Sequence, residues 1–334
     1  MSFIKTLVDD LKDEYTSIAG DGKSSSEFSG YIDTGCYMLN AILSGSIYGG
    51  VPDNKITAFV GESATGKTFF ALSIVKNFLE QNDTNVVVYY DTEAAITSSM
   101  MVDRGIDINR VILAEPTTIQ NFRTHALKLL DSYESQKNKP RMMIVLDSLG
   151  MLSTTKEMED SGEGKETRDM TKAQLIKATF RVLTLRLAKA KVPLILTNHV
   201  YDAVGSYFPT KVISGGSGLI YAASTIIMLG KKKERDGTEV VGNIIKTKTH
   251  KSRLSKENAS TELLLSYKNG LDRYYGLLTL AEKAGVIQKS GRQFELSDGR
   301  KVFGKAINES PEEIFTKDIL DQLDEAAKKE YRYG

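Results

Sequence analysis

Apolar residues run along this chain in two rhythms. Five short stretches are apolar almost without interruption: Ile56–Val60, Val86–Tyr90, Val111–Leu113, Met142–Leu146 and Leu194–Leu196. Between them, apolar positions recur every three to four residues, as in Phe69–Val75, Phe122–Tyr133 and Ala173–Ala190. A strand without polar alternation is one buried on both faces, so the pattern predicts an α/β core around a largely parallel sheet. Further strands are expected over Ser224–Leu229 and Asn243–Lys248. Near the start, Phe3, Ile4, Leu7, Val8, Leu11, Tyr15 and Ile18 trace the stripe of an amphipathic helix, and Gly20–Ser26 reads as a flexible linker. Such a tethered helix either folds back on its own core or docks on a neighbouring subunit, and docking is the favoured reading. After about Tyr275 the texture changes to a helix ending at Gly285, a hairpin over Gln293–Val302 and an acidic helical segment from Pro311 to Tyr331. The expected division is residues 1–30 as helix and linker, 31–275 as the core, and 276–334 as a small α+β domain.

Composition narrows the class without naming it. The 334 residues are 41% hydrophobic and 26% charged, and no apolar run approaches the ~18 residues of a membrane span. A single cysteine, Cys36, excludes an internal disulfide and a cysteine-rich zinc site. The first residues lack the basic and apolar regions of a secretory signal, so a cytoplasmic setting is expected. Net charge is only +1, but its distribution is uneven. Residues 231–256 hold nine Lys/Arg against Glu234, Asp236 and Glu239, whereas residues 309–330 hold eight Asp/Glu against three lysines. That asymmetry favours a polyanion-binding face, with solvated surface charge as the plain alternative.

The chemistry concentrates where strands end. Gly61-Glu62-Ser63-Ala64-Thr65-Gly66-Lys67-Thr68 follows one apolar strand and leads through Phe69 into a helix, the layout of a P-loop. Gly61 and Gly66 are expected to free the backbone so that amides turn toward phosphate oxygens. Lys67 would reach the outer phosphates, and Thr68 would ligate Mg²⁺. Asp147 closes a second strand as the carboxylate that nucleotide-bound Mg²⁺ needs, and Glu93 follows a third, where it can polarise an attacking water. His199, after Thr197-Asn198, is placed to sense the terminal phosphate. Taken singly, Asp147 also suits a turn cap, Glu93 a surface carboxylate and His199 a packing residue.

Two stretches lack periodicity and read as functional loops. Val200–Gly218 mixes Asp202, Tyr207, Phe208, Lys211, Gly215 and Gly216. Glycine amides and Lys211 suit a phosphate backbone, and the aromatics can stack on bases. Leu152–Thr167 is the second, and the helix after it presents Arg168 and Lys172, then Lys177 and Arg181, at i,i+4 spacing.

In their order, Ile32-Asp33-Thr34-Gly35, the P-loop, Tyr90-Asp91-Thr92-Glu93, Leu146-Asp147-Ser148-Leu149-Gly150, Asp169-Met170-Thr171, Asn198-His199, Gly215-Gly216-Ser217-Gly218 and His250-Lys251-Ser252-Arg253 resemble the RecA-type strand-exchange recombinases, and most closely the tailed-phage UvsX recombinases. The resemblance spans about residues 30–290. It implies a DNA-dependent ATPase that uses ATP and Mg²⁺, forms a helical filament on single-stranded DNA and pairs it with homologous duplex, assisted by single-strand-binding and mediator proteins. It implies catalytic roles for Lys67, Glu93 and His199, and a nucleotide site made of residues 61–69 with Asp147. Lys251 and Arg253 would reach the ATP of the adjacent subunit, and the N-terminal helix would dock on that neighbour. Residues 152–167 and 200–218 match the two DNA-binding loops. Where the family often carries a Tyr that stacks on adenine, Met100 stands here, and the chain ends at Arg332-Tyr333-Gly334 without the longer acidic tail of many relatives. A ring-shaped helicase of the same superfamily is the alternative, but it normally carries an additional N-terminal domain, for which some thirty residues are too few. A phosphotransferase outside DNA metabolism leaves the two loops unexplained.

Overall fold

The computed structural model describes residues 3–333 apart from 12, 14, 15, 23, 166–169, 203–210, 297 and 298, and apart from the side chain of Asp236. The chain opens with helix α1 (Phe3–Leu11), whose Phe3, Ile4, Leu7 and Leu11 are all exposed. A short antiparallel pair, β1 (Tyr31–Ile32) with β2 (Val51–Pro52), brackets the fully buried α2 (Tyr37–Ser44). The apolar runs then form β3 (Ile56–Gly61), β4 (Val86–Asp91), β5 (Val111–Ala114), β6 (Met142–Asp147) and β7 (Leu194–Asp202). Completing the sheet are β8 (Lys211–Ile213), β9 (Thr225–Asp236), β10 (Glu239–Ser252), β11 (Ser260–Ser266) and β12 (Gly270–Leu271).

The strands order as β12-β11-β10-β9-β3-β7-β6-β4-β5, with β8 paired to β7. The run from β9 to β5 is parallel, while β10, β11 and β12 extend that edge antiparallel. The largely parallel core expected from unalternated strands is therefore present, with an antiparallel flank. Helices cover both faces. Helix α3 (Lys67–Glu80) lies with α2 in one apolar cluster, and α5 (Ile119–Ser135) with α7 (Lys172–Ala190) lies in the other. Burial on both faces explains why Phe59 and Tyr89 belong to one cluster while Ala58 and Val88 belong to the other.

Three sequence expectations change. The Leu152–Thr167 loop contains a helix, α6 (Thr155–Gly162), started by a reciprocal capping box between Thr154 and Glu157. That Thr-x-x-Glu signal was present in the sequence, and lack of apolar periodicity hid it, since α6 has no buried residue. The Val200–Gly218 stretch is largely regular where described: β7 runs on to Asp202, β8 pairs back with it, and α8 (Ser217–Ala222) follows. Strands β9 and β10 outrun their expected bounds and form a ribbon beyond β3, since β3 pairs with β9 only as far as Leu229. Strands β9 and β10 together carry most of the basic stretch. Alternation places Lys246, Lys248 and His250 on an exposed face while Thr247 and Thr249 are buried.

The C-terminal segment comprises α9 (Leu277–Lys283), an antiparallel sheet of β13 (Gln288–Ser290), β14 (Gln293–Glu295) and β15 (Lys301–Phe303), then α10 (Gly304–Glu309), α11 (Pro311–Ile314) and α12 (Lys317–Tyr331). The expected hairpin is thus two strands of three. Ile319, Leu323, Ala327 and Tyr331 of α12 join the cluster of α2 and α3. Asp324 pins the contact: it is buried, accepts from the Ser46 hydroxyl at 2.5 Å and the Ile47 amide at 2.9 Å, and pairs with Lys328 at 2.8 Å. Removing it leaves a buried amide without its acceptor. Asp324→Ala is expected to destabilise the chain by about 1–3 kcal/mol in urea unfolding, and Asp324→Asn, which keeps an acceptor, by less.

Candidate active site

Strand β3 delivers the glycine-bounded loop to the C-terminal edge of the sheet, and α3 begins at Lys67. The two glycines serve different ends. Gly66 has a φ of +85°, which favours a residue without Cβ. Gly61 does not: a Cβ there would sit 2.7 Å from both the Leu229 carbonyl and the Thr65 hydroxyl, so close approach, not backbone angle, requires it. Ala64 also adopts positive φ, at +56°. Lys67 is buried, and its ammonium donates to the carbonyls of Gly61 at 3.1 Å and Glu62 at 2.8 Å. Burial lowers its pKa, against the pull of Glu93 and Asp147.

Asp147, at the end of β6, is buried among hydroxyl donors. Thr68 and Tyr89 each donate to Oδ2 at 2.8 Å, and Thr197 donates to Oδ1. Burial, then the adjacent Asp147, pushes the Tyr89 phenol well above its ordinary range, so it remains a donor. The Asp147–Ser148 peptide is cis. Asp91, at the end of β4, shapes the next turn by accepting from the amides of Glu93 at 3.1 Å and Ile96 at 2.8 Å. The turns after β4 and β6 are laced together: the Thr92 amide donates to the Asp147 carbonyl, and its hydroxyl bonds both the carbonyl and the amide of Ser148, each at 2.8 Å.

This lacing brings Glu93 beside Ser148 and His199. Glu93 Oε1 accepts from the Ser148 hydroxyl at 2.9 Å and lies 3.0 Å from His199 Nε2. Burial pushes the Glu93 carboxyl up, but hydrogen bonds from His199 and Ser148, helped by Lys67, outweigh it and hold it below the ordinary value. Behind His199, Asn198 is fully buried and donates to the Ser214 carbonyl at 2.8 Å, while the Ser214 amide donates to the His199 carbonyl at 2.9 Å. Gly215 and Gly216 follow at once, with φ of +82° and +74°.

A cleft of about 460 Å³ joins these groups. Lys67, Thr68, Glu93, Asp147 and His199 line it, together with Phe69, Arg104, Asn243, Ser266 and Tyr267. Its volume lies within the roughly 300–1,000 Å³ of small-molecule sites. The last four residues went unnoticed in the sequence, because they come from elements that approach only in the fold and carry no local motif. Among the described residues, no group of three or more His, Cys, Asp or Glu is placed to hold a metal ion by itself. Thr68 and Asp147 offer the two-oxygen set that suits a cation shared with phosphate.

Other expected residues lie elsewhere. Lys251 and Arg253 are not at this cleft: β10 is antiparallel to β9, and Lys251 pairs with Ile226, toward the N-terminal end of β3 and away from Gly61. There the Lys251 ammonium donates to the carbonyls of Ile220 at 2.5 Å, Ala223 at 2.8 Å and Tyr221 at 3.3 Å, closing the C-terminal end of α8, and Arg253 approaches the Tyr221 carbonyl at 3.5 Å. Burial, then Arg253, lowers the Lys251 pKa. Lys211, expected to be free for phosphate, is ion-paired with Glu62 at 2.5 Å and Asp202 at 2.7 Å. Hydrogen bonds to Asp202 and Glu62 raise its pKa. Lys172 pairs with Glu157 of α6 at 3.4 Å. Lys177 is exposed with its ammonium 5.7 Å from the Tyr221 ring centre, and Arg181 is exposed one turn further along α7. Arg168, Tyr207 and Phe208 lie outside the described residues.

The lowered pKa of Glu93 keeps its charge to lower pH than in the unfolded chain, so the stability it brings is present above the unfolded value and lost as pH falls through the folded one. Removing either partner should undo part of this. Ser148→Ala and His199→Ala are each expected to move the Glu93 carboxyl titration upward, read by carbon-13 NMR of the side-chain carboxyl; an unmoved titration in both would show that these bonds do not set it.

A sequence-family profile described as the RecA N-terminal domain matches residues 10–272. A "Recombination and repair protein" of Enterobacteria phage T4 is 32% identical over 252 residues, which are 75% of this chain and 63% of the phage protein. The match thus spans less than two thirds of that relative's length. "Protein RecA" of Thermus aquaticus is 28% identical over 304 residues, 88% of this chain and 85% of its own, and that of Chlorobium limicola is 28% identical over 297 residues, 87% and 81%. With the profile covering most of the residues and the parallel sheet, P-loop and strand-end carboxylates in place, this chain belongs to the RecA family.

Proposed function

We propose that this chain is an ATP-dependent DNA recombinase of the UvsX kind, which assembles on single-stranded DNA and pairs it with homologous duplex. One observation carries the reading: His199 lies 3.0 Å from Glu93 in the cleft, and its own backbone is bonded to Ser214, next to Gly215-Gly216. A change at the terminal phosphate would therefore be felt, through one side chain, by the segment expected to meet DNA. The names of the T4 phage and bacterial relatives fit the same reading.

The residues divide the work. Lys67 would exchange the carbonyls of Gly61 and Glu62 for phosphate oxygens, and Thr68 with Asp147 would hold Mg²⁺. Bound there, Mg²⁺ would neutralise charge on the phosphates. Glu93, held ionised by its hydrogen bonds, orients and polarises the attacking water. Lys251 and Arg253, facing away from their own P-loop, complete the site of an adjacent copy. Exposed Lys177, Arg181 and the glycine turn, with Arg168, Tyr207 and Phe208, meet the DNA strand. Lys172 and Lys211 would join them only after leaving Glu157, Glu62 and Asp202. The division into residues 1–30, 31–275 and 276–334 assigns docking, catalysis and an accessory role in turn. Binding should be largely sequence-independent and weaken with salt.

A joint-molecule assay with single-stranded DNA and homologous duplex tests the whole reading. ATP-dependent pairing is expected; directional unwinding without pairing would replace it with a helicase, and DNA-independent turnover without DNA binding would remove the DNA role. Lys67→Ala is expected to lower hydrolysis at least about a hundredfold with the fold retained by circular dichroism. Lys251→Ala with Arg253→Ala should abolish ATP-dependent cooperativity and lower DNA-stimulated turnover by on the order of 10³, while the free subunit stays folded. Unchanged cooperativity would misplace the contact between subunits.

A further inference from the structure

Resting on the nucleotide reading above, we infer that Arg104 is the platform on which the nucleobase stacks. Arg104 follows α4 (Ser98–Val102) in a turn fixed by the bonds of the Arg104 and Ile106 amides to the Met101 carbonyl, at 3.1 and 3.0 Å. Its guanidinium carbon lies 4.5 Å from the centre of the Phe69 ring, and Nη1 donates to the Met100 carbonyl at 2.7 Å. Phe69 sits one residue past Thr68, in the first turn of α3. The platform thereby rests on a residue that adjoins the phosphate-binding end of the same cleft, which Arg104 and Phe69 both line.

The chemistry of the pair suits a flat, uncharged ring. A guanidinium is planar, weakly hydrated and stacks on aromatic faces. With its guanidinium over the Phe69 ring and Nη1 held by the Met100 carbonyl, Arg104 is oriented before any ligand arrives, and among the described residues it takes part in no ion pair. A purine laid on it gains stacking and cation–π attraction. Stacking of this kind reads no base edge. Discrimination between purines would fall to polar groups that also line the cleft, such as Asn243 and Ser266. A role for Arg104 on the phosphates would instead make it one more cation beside Lys67.

The two roles separate by ligand. Affinity for MgATP and for magnesium tripolyphosphate, which lacks base and sugar, is measured by calorimetry on the full chain. Arg104→Ala is expected to weaken MgATP about tenfold and leave tripolyphosphate unchanged, and Arg104→Tyr, flat but neutral, to recover most of the ATP affinity. Equal loss of both ligands in Arg104→Ala would make Arg104 a phosphate or structural residue and overturn the inference, as would unchanged ATP affinity. Rescue by Arg104→Lys but not by Arg104→Tyr would overturn it too, since charge and not stacking would then matter. If the unaltered chain bound neither ligand, the nucleotide reading itself would fall.

Discussion

A buried carboxylate must be satisfied where it stands, and Asp147 is satisfied by three hydroxyls from three parts of the chain: Thr68 at the start of α3, Tyr89 within β4 and Thr197 within β7. Those bonds fasten the P-loop helix to the ends of adjacent strands at the edge where parallel sheets gather ligands. The cleft is open above this knot, and its other groups take their places from it. Were Asp147 absent, Thr68 would lose its partner at the mouth of the loop, and buried Tyr89 would be left with an unpaired phenol.

From this anchor the site extends in two directions. Toward chemistry, the turns after β4 and β6 are bonded to each other through Thr92 and Ser148, so Glu93 is presented by two strands and not by one mobile turn. Toward the rest of the molecule, β7 carries His199 past Glu93 and returns through β8 to the glycine turn and α8. Helix α8 is in turn closed at its far end by Lys251. A single short helix therefore lies between the residues facing this cleft and the pair that points away from it.

Fold class was legible because burial on both faces leaves a mark in one dimension. Unalternated runs such as Met142–Leu146 can satisfy their apolar side chains only in a sheet covered on both sides. The P-loop was legible for a similar reason, since strand, glycine-bounded loop, Lys-Thr and helix are contiguous. Strand-end residues Glu93, Asp147 and His199 were legible by position, although nothing local said that Glu93 and His199 would touch. Helix α6 was missed because a polar helix held by its cap leaves no apolar stripe, and β8 because three residues are too few to carry a period.

The sequence by itself settled the nature of the core, the glycine-bounded loop and the strand ends that face it, because each depends on neighbours within a few residues. Tertiary structure alone decided the pairing of Glu93 with His199, the ion pairs that occupy Lys211, the distance of Lys251 and Arg253 from their own loop, and the Arg104–Phe69 wall. These are matters of register and approach between segments distant along the chain. The stretch Gly61–Thr68 shows the division plainly. Its motif predicted a phosphate-binding loop, and only the fold revealed that Gly61 is required by the Leu229 carbonyl pressed against it, a contact between parallel strands that no local pattern encodes.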